Sequence, residues 1–532
     1  MKFRFINLLA VLLLVIPALS KDPYPVNKNL DIQHYVFNLE VNDDNDVLTG
    51  KSEITFRLSG NTPYFEIDLT GKKPDGTGMQ VDFIGPESIV DRYEHNGDKI
   101  RIYLRSKSDE ARTIAVSYHG IPDDGFIIGR SKFGDRTFFG DNWPDRGHHW
   151  LAGVDHPSDK ATVEFAITAP QHYSAVATGM LLEESVLPDK KKLTRWKETA
   201  PVAMKVMTAG IAEFAVLHTG VEQGVPTSIW VYPQNKKDGF ADFQPEKKII
   251  QYFMKSIGPF SFAKLAHVQS KTRWGGLENA GNIFYFENAV TGKGTIENLI
   301  AHESAHQWFG NAVTESDWHH VWLSEGFATY FTHLYNEGTY GQTARQKAMA
   351  ADREKIMSHP LLVERPVVDT TLLDINQVLS IITYQKASFV LHMLRKEIGD
   401  DAFWSGIRSY YAAYQNRNAL TADFRKYMEN ASGQDLGWFF KQWIFAPGAP
   451  ELDVTWKYNK KSGAVDLRVR QNGSQIYTFN LNLGMGREGN KTIRITKKDE
   501  VFSIKMAESP VLVTLDPETD LLFKGKIAAG RL

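Results

Sequence analysis

Apolar and polar residues alternate through much of the first 220 positions, as in "HYVFNLEV", "KSEITFRL", "ATVEFAITA" and "MKVMTAGIAEFAVL". Alternation of period two predicts strands with one face buried. Turn pairs such as Asn96-Gly97 and Pro188-Asp189 separate these runs, so residues 21–220 read as an all-β domain of paired sheets. From 221 the pattern changes. A short strand, "TSIWVYP", precedes a helix predicted over Pro245–Ser256 and strand-like runs at His267–Ser270 and Ile283–Glu287. Beyond Thr295 the period becomes helical, including Thr383–Ile398, Ala402–Tyr414 and Thr421–Ala431. Residues 221–447 therefore read as an α+β domain. From 448 to 532 alternation returns in "LDVTWKYN", "AVDLRVRQ", "IYTFNLNL", "KTIRITK" and "VLVTLDP", which predicts a small β-sandwich. The fold class expected is multidomain α+β.

Two of the predicted helices carry candidate chemistry. Thr295 is the expected N-cap and Gly310 the expected stop of the first, with Ile296, Leu299, Ile300, Ala301 and Trp308 as its apolar stripe. Within it, His302 and His306 stand four positions apart, so their rings share one face and can converge on one ion. After eighteen intervening residues comes Glu325, in the first turn of a second helix expected over Ser324–Asn336. Two imidazoles and a carboxylate suit zinc, with a fourth position left for water. Glu303 lies between the histidines without being needed as a ligand, and is placed to take a proton from that water.

The segment "HESAHQWFGNAVTESDWHHVWLSEGFATYF" resembles the zinc segment of the aminopeptidase N family of gluzincin metallopeptidases. "GGLEN" at Gly275–Asn279 resembles that family's exopeptidase motif, and "TYQKASFVLHML" places Tyr384 where the family has a catalytic tyrosine. "LDIQHYVFNLEV", "LTGKSEITFRL" and "FFKQWIFAPGAPELDV" extend the resemblance over most of residues 30–455. It implies a saddle-like N-terminal β domain, a thermolysin-like zinc catalytic domain and a small C-terminal β-sandwich. It also implies one zinc ion held by His302, His306 and Glu325, with Glu303 and Tyr384 catalytic and Gly275, Gly276, Glu278 and Asn279 binding substrate. A free α-ammonium group needs an anionic partner, and Glu278 is the candidate. By pattern alone Tyr384 is one of 20 tyrosines, and only the resemblance singles it out.

The chain departs from the family at Leu277, where methionine is usual, and at Ser324, where asparagine is usual. The family also commonly supplies a second amine-binding residue from its N-terminal domain. Asp141 and Asp145 are candidates here, whereas His148 and His149 have no ligand spacing with the zinc helix. Many members carry a large helical domain after the sandwich. With the sequence closing at Leu532, the reading expects none and a more open site.

Composition limits the alternatives. A chain of 532 residues with 42% hydrophobic content can form several cores, and a net charge of −2 without a long basic run argues against nucleic-acid binding. Lys190–Lys192 and Lys460–Lys461 read as solvated hairpin tips. Residues 1–20 have the form of a signal peptide: Lys2 and Arg4, an apolar run over Ile6–Ile16, then Ala18-Leu19-Ser20 before Lys21. Export to a periplasmic or extracellular location is expected, with no membrane span in the mature chain. There is no cysteine, so neither disulfides nor a lipoprotein anchor can form. The function expected is a zinc metallo-aminopeptidase acting on peptides with a free N-terminus. A secreted zinc endopeptidase and a noncatalytic peptide-binding protein are the alternatives.

Overall fold

In the computed structural model the described residues are 25–530, apart from 26 and 61. The segment read as a signal peptide lies outside them. Among the described residues no helix is long and apolar enough to cross a membrane.

The N-terminal part is built on a seven-stranded sheet. Its strands run in the order Met180–Val186, Lys191–Ala203, Lys160–Pro170, Leu30–Glu40, Leu48–Leu58, Arg112–Ile121 and Gly78–Gly85. The central pair, Leu30–Glu40 with Lys160–Pro170, is parallel and the other pairs are antiparallel. Alternation fixes which face is buried: Tyr35, Phe37 and Leu39 point inward, with Phe37 opposite Phe165. A four-stranded and a three-stranded sheet complete this part. The turn expected at Asn96-Gly97 is present, with Gly97 at φ 58°. At the other predicted tip, Lys190 turns the chain at φ 57°, but Lys192 lies in a strand with its side chain 13% exposed, 3.4 Å from Glu184.

The run over 204–217 is not one strand. Ala209–Ala212 joins the four-stranded sheet, while Ala215–Glu222 pairs with Val225–Val231 in the next sheet. The change of sheet therefore falls between 212 and 215, ahead of the boundary expected at 220. Glu213 is a single polar residue between two apolar runs, Ile211-Ala212 and Phe214–Leu217, and no turn residue marks the junction.

That next sheet orders Ala215–Glu222, Val225–Val231, Leu265–Ser270, Asn282–Phe286 and Gly276–Leu277, leaving Gly276–Leu277 at its edge. Helices follow. Glu297–His306 packs against Trp322–Tyr340, and Ala387–Ile398 packs on the latter. Their common core is aromatic: Phe327 lies 4.6 Å from Phe309 and 5.0 Å from Phe424, ring centre to ring centre. The last strands form a four-stranded and a three-stranded sheet, the two layers expected of a sandwich.

Both helices that carry the candidate ligands differ from expectation at their ends. The histidine helix begins at Glu297 with Ile296 at the cap position, and Thr295 makes no capping bond. The entry is held instead by Asp242, whose carboxylate accepts from the backbone N–H groups of Thr291, Gly292 and Gly294 at 2.6–2.7 Å. The helix ends at His306, short of Gly310. The second helix is longer than expected, Trp322–Tyr340.

Candidate active site

His302 and His306 occupy the last two turns of their helix, and Glu325 the first turn of the helix packed against it. The two Nε2 atoms lie 3.2 Å apart. Glu325 Oε2 lies 3.4 Å from His302 Nε2 and 3.2 Å from His306 Nε2. Ligands about 2.0–2.1 Å from a tetrahedral zinc stand about 3.3–3.4 Å from one another. The triad's edges, 3.2–3.4 Å, come close to those lengths, so its residues fit a zinc ion. The ring of His306 is oriented from behind: Nδ1 lies 3.2 Å from the Phe309 carbonyl and 3.0 Å from Ser324 Oγ. A proton held at Nδ1 leaves the Nε2 lone pair facing the triad. Ser324, the departure from the usual asparagine, thus supports a member of the triad. Gly310, at φ 121°, passes so close that a side chain there would strike Ser324 Oγ and crowd His306 Nδ1.

Glu278, Glu303 and His306 also bring ligand atoms within 4.8 Å of one another, so both further carboxylates share the centre. Glu278 sits directly beyond the edge strand Gly276–Leu277. Its backbone carbonyl accepts from Gln307 Nε2 at 2.9 Å and Asn311 Nδ2 at 2.5 Å, which ties the loop to the end of the histidine helix. Asn311 is held in turn from the N-terminal part, where Lys160 Nζ donates to the carbonyls of Asn311 at 2.9 Å and Ala312 at 2.8 Å. Glu278 Oε1 is buried without a hydrogen-bond partner, an anionic acceptor left open to a cation.

Gly276 lines the cleft because nothing larger fits there. A Cβ at this position would lie 2.5 Å from Glu303 Cδ and 2.6 Å from Cγ. Gly276→Ala is expected to displace the Glu303 carboxylate and lower kcat at least tenfold at unchanged zinc content. Steady-state kinetics with metal analysis checks this, and unaltered kcat would show that Glu303 has room to move. Gly275 and Asn279 flank this wall rather than form it: the Gly275 carbonyl accepts from Phe286 N at 3.1 Å, and Asn279 is buried.

Tyr384 stands across the cleft in a π-helical turn, Ile382–Lys386, at the start of the helix running to Ile398. Its ring lies parallel to that of His302, with centres 6.1 Å apart. Trp143, Trp274, Leu277 and Leu379 supply the rest of the lining.

Burial dominates the electrostatics. It raises the Glu303 carboxyl well above its ordinary range; His306 opposes the shift, and Glu278 and Glu325 add to it. Glu278 is raised for the same first reason, with His306 opposing. For Glu325 burial works in the same direction but is outweighed by His306 and His302, which hold it far below its ordinary value. Burial alone would lower His306, yet Glu325 and Glu278 push it up to about 10. Three carboxylates gathered around two imidazoles form a centre suited to a divalent cation, which displaces the protons that otherwise balance them.

The candidates for a second amine anchor lie elsewhere. Asp141 is fully buried, pairs with Arg146, and accepts from Thr272 Oγ1 at 3.1 Å and Arg273 N at 2.9 Å. Asp145 lines a different cavity, beside His148 and Asp155. His148 and His149 stack on each other, 4.4 Å between centres, and bind Asp155 and Asp123 at 2.8 Å. Sequence reasoning missed Trp143, Trp274 and Leu379, none of which carries a motif of its own. Gln307 and Asn311 stood inside the zinc segment, but nothing there announced their hold on Glu278.

Fold and site together present a group of two histidines and one glutamate, on two packed helices, that could hold a metal ion. Residues 242–443 match the peptidase family M1 domain and residues 32–204 the peptidase M1 N-terminal domain. The two take in most of the chain, which belongs to peptidase family M1. It is 26% identical to glutamyl aminopeptidase of Homo sapiens over 492 residues, 84% of this chain and 50% of that protein. It is 25% identical to probable aminopeptidase 1 of Saccharolobus solfataricus over 407 residues, 71% of this chain and 50% of that one. The fold is shared with aminopeptidase A of Legionella pneumophila, solved in complex with aspartic acid. That match has a TM-score of 0.81 at 16% identity and covers 95% of this chain and 61% of the other. The chain spans about half the length of the curated relatives it matches.

Proposed function

We propose that the chain is a zinc-dependent aminopeptidase that removes N-terminal residues from peptides. The observation that carries this reading is Glu278, whose open carboxylate oxygen shares a buried cleft with the triad. His302, His306 and Glu325 would hold the zinc. When bound, zinc supplies a Lewis acid that polarises the scissile carbonyl and acidifies water.

The chain's own groups do the rest. Glu278 receives the α-ammonium group and fixes the scissile bond one residue from the chain end. The Gly276–Leu277 edge offers its backbone to an extended substrate. Glu303 takes a proton from water as the new C–O bond forms, then gives it to the leaving nitrogen as the C–N bond breaks. Tyr384 donates its O–H to the oxygen that gains charge. The β-rich N-terminal part walls the cleft through Trp143, while among the described residues none from 448 onward contributes to the lining. The human relative is named for glutamyl residues; the walls of this chain's own cleft set its preference.

The test compares free and N-acetylated peptides with and without a chelator. Cleavage of the free-amine forms alone, lost on chelation, is expected. Equal cleavage of acetylated forms would move the assignment to an endopeptidase, and cleavage of neither would leave a peptide-binding protein. The reading includes export, with residues 1–20 removed as a signal peptide and a periplasmic or extracellular location. N-terminal sequencing of the protein from its native cells is expected to begin at Lys21, and a chain starting at Met1 would refute this.

A further inference from the structure

We infer that the cleft selects a neutral apolar or aromatic first residue and rejects an acidic one. The inference rests on the aminopeptidase reading and specifies its substrate class. Beyond the triad, Glu278, Glu303 and Tyr384, the lining consists of Gly276, Trp143, Trp274, Leu277 and Leu379. Among the described residues no lysine or arginine lines the cleft.

Of the cations near the lining, Lys386 is itself buried and donates to the Ala446 carbonyl at 3.4 Å, and three others are committed to carboxylates. Lys205 forms a fully buried pair with Glu315, with its ammonium 5.5 Å from the ring centres of both Trp143 and Trp318. Arg146 is held by Asp141. Arg273 forks onto both oxygens of Asp124. Redirecting any of them would strand a carboxylate, and for Lys205 and Arg146 a buried one. An aspartyl or glutamyl side chain would therefore add a fourth carboxylate to a space whose three are already matched by the zinc and the α-ammonium group, with no lysine or arginine of the lining to meet it. Like charges brought together disfavour binding of that partner. A leucyl or phenylalanyl side chain meets indole and isobutyl surface, and its burial is favourable. A lysyl side chain would have to give up water against the same apolar walls, since Glu278 is taken by the α-amine.

Trp274 and Leu379 are the walls to alter. Trp274 is 40% exposed, so a change there leaves the core intact. The experiment measures kcat/KM of the zinc-loaded full chain on leucyl, phenylalanyl, glutamyl and lysyl p-nitroanilides. The apolar substrates are expected to exceed the glutamyl one by about a hundredfold or more. In Trp274→Arg the glutamyl-to-leucyl ratio is expected to rise at least about tenfold, because the new guanidinium pairs with the incoming carboxylate. Leu379→Arg makes the same test from a second lining residue. Glutamyl or lysyl turnover within tenfold of the best apolar substrate overturns the inference, as does a ratio unmoved in both variants. Absence of turnover on all four substrates removes the aminopeptidase reading and this inference with it, whereas a glutamyl preference removes this inference alone.

Discussion

Replacing Glu303 with glutamine is expected to lower kcat by about two to four orders of magnitude while the zinc content stays at wild-type level. Glu303 lies on the face of the helix that looks into the cleft, yet it is outside the triad whose atoms have zinc-ligand spacing. An amide has nearly the shape of the carboxylate but cannot take up the proton of the attacking water. Metal affinity should therefore survive and turnover should not. The environment argues the same way. Burial, reinforced by Glu278 and Glu325, gives the Glu303 carboxylate a raised proton affinity, which suits a group that must accept a proton and then release it to the leaving amine. Single-turnover kinetics with zinc analysis of Glu303→Gln checks both halves. Loss of zinc together with activity would make Glu303 a ligand, and retention of activity would place the base elsewhere.

Tyr384→Phe is expected to lower kcat by about a hundredfold to a thousandfold with KM nearly unchanged. The ring remains, so packing against His302 is kept and only the hydroxyl is lost. Burial, followed by the charges of Glu325 and Glu278, raises the hydroxyl's pKa well above the ordinary tyrosine value. It stays protonated throughout the working range and so acts as a donor. A donor aimed at charge that develops only during reaction lowers the barrier without tightening ground-state binding. An equal rise in KM with no change in kcat would recast Tyr384 as a substrate-binding group. The π-helical turn that carries it widens the helix by one residue at this point, a local irregularity that recurs at functional sites.

The convergence of the candidate triad was legible because its information is local. Two histidines one turn apart share a face whatever surrounds the helix, and Glu325 needed only a second helix beginning where the polar pattern ends. The strands were legible for a similar reason: alternation predicts which residues of Leu30–Glu40 turn inward before any partner strand is known. Thr295 misled because a threonine before a helical stripe is a good cap only if the chain enters from the right direction. Here Asp242, more than fifty positions away, holds the entry loop instead. Tyr384 was identified by resemblance to the family, since its own surroundings in sequence distinguish it from no other tyrosine.

By itself the sequence determined the sets that depend on neighbours within a few positions: the two histidines sharing one helix face, the glutamate between them and the alternating faces of the β parts. Tertiary structure alone decided what depends on distant chain segments meeting. It closed three donors to 3.2–3.4 Å, left Glu278 Oε1 without a partner, and hung the Glu278 loop on Gln307 and Asn311, with Lys160 bracing Asn311 from the N-terminal sheet. It also brought Trp143 and Leu379, more than two hundred residues apart, to the walls of one cleft with Trp274. The physical reason is that a pattern of apolar and polar residues records which face is buried but not what it is buried against. Substrate preference is set by the partners across the cleft.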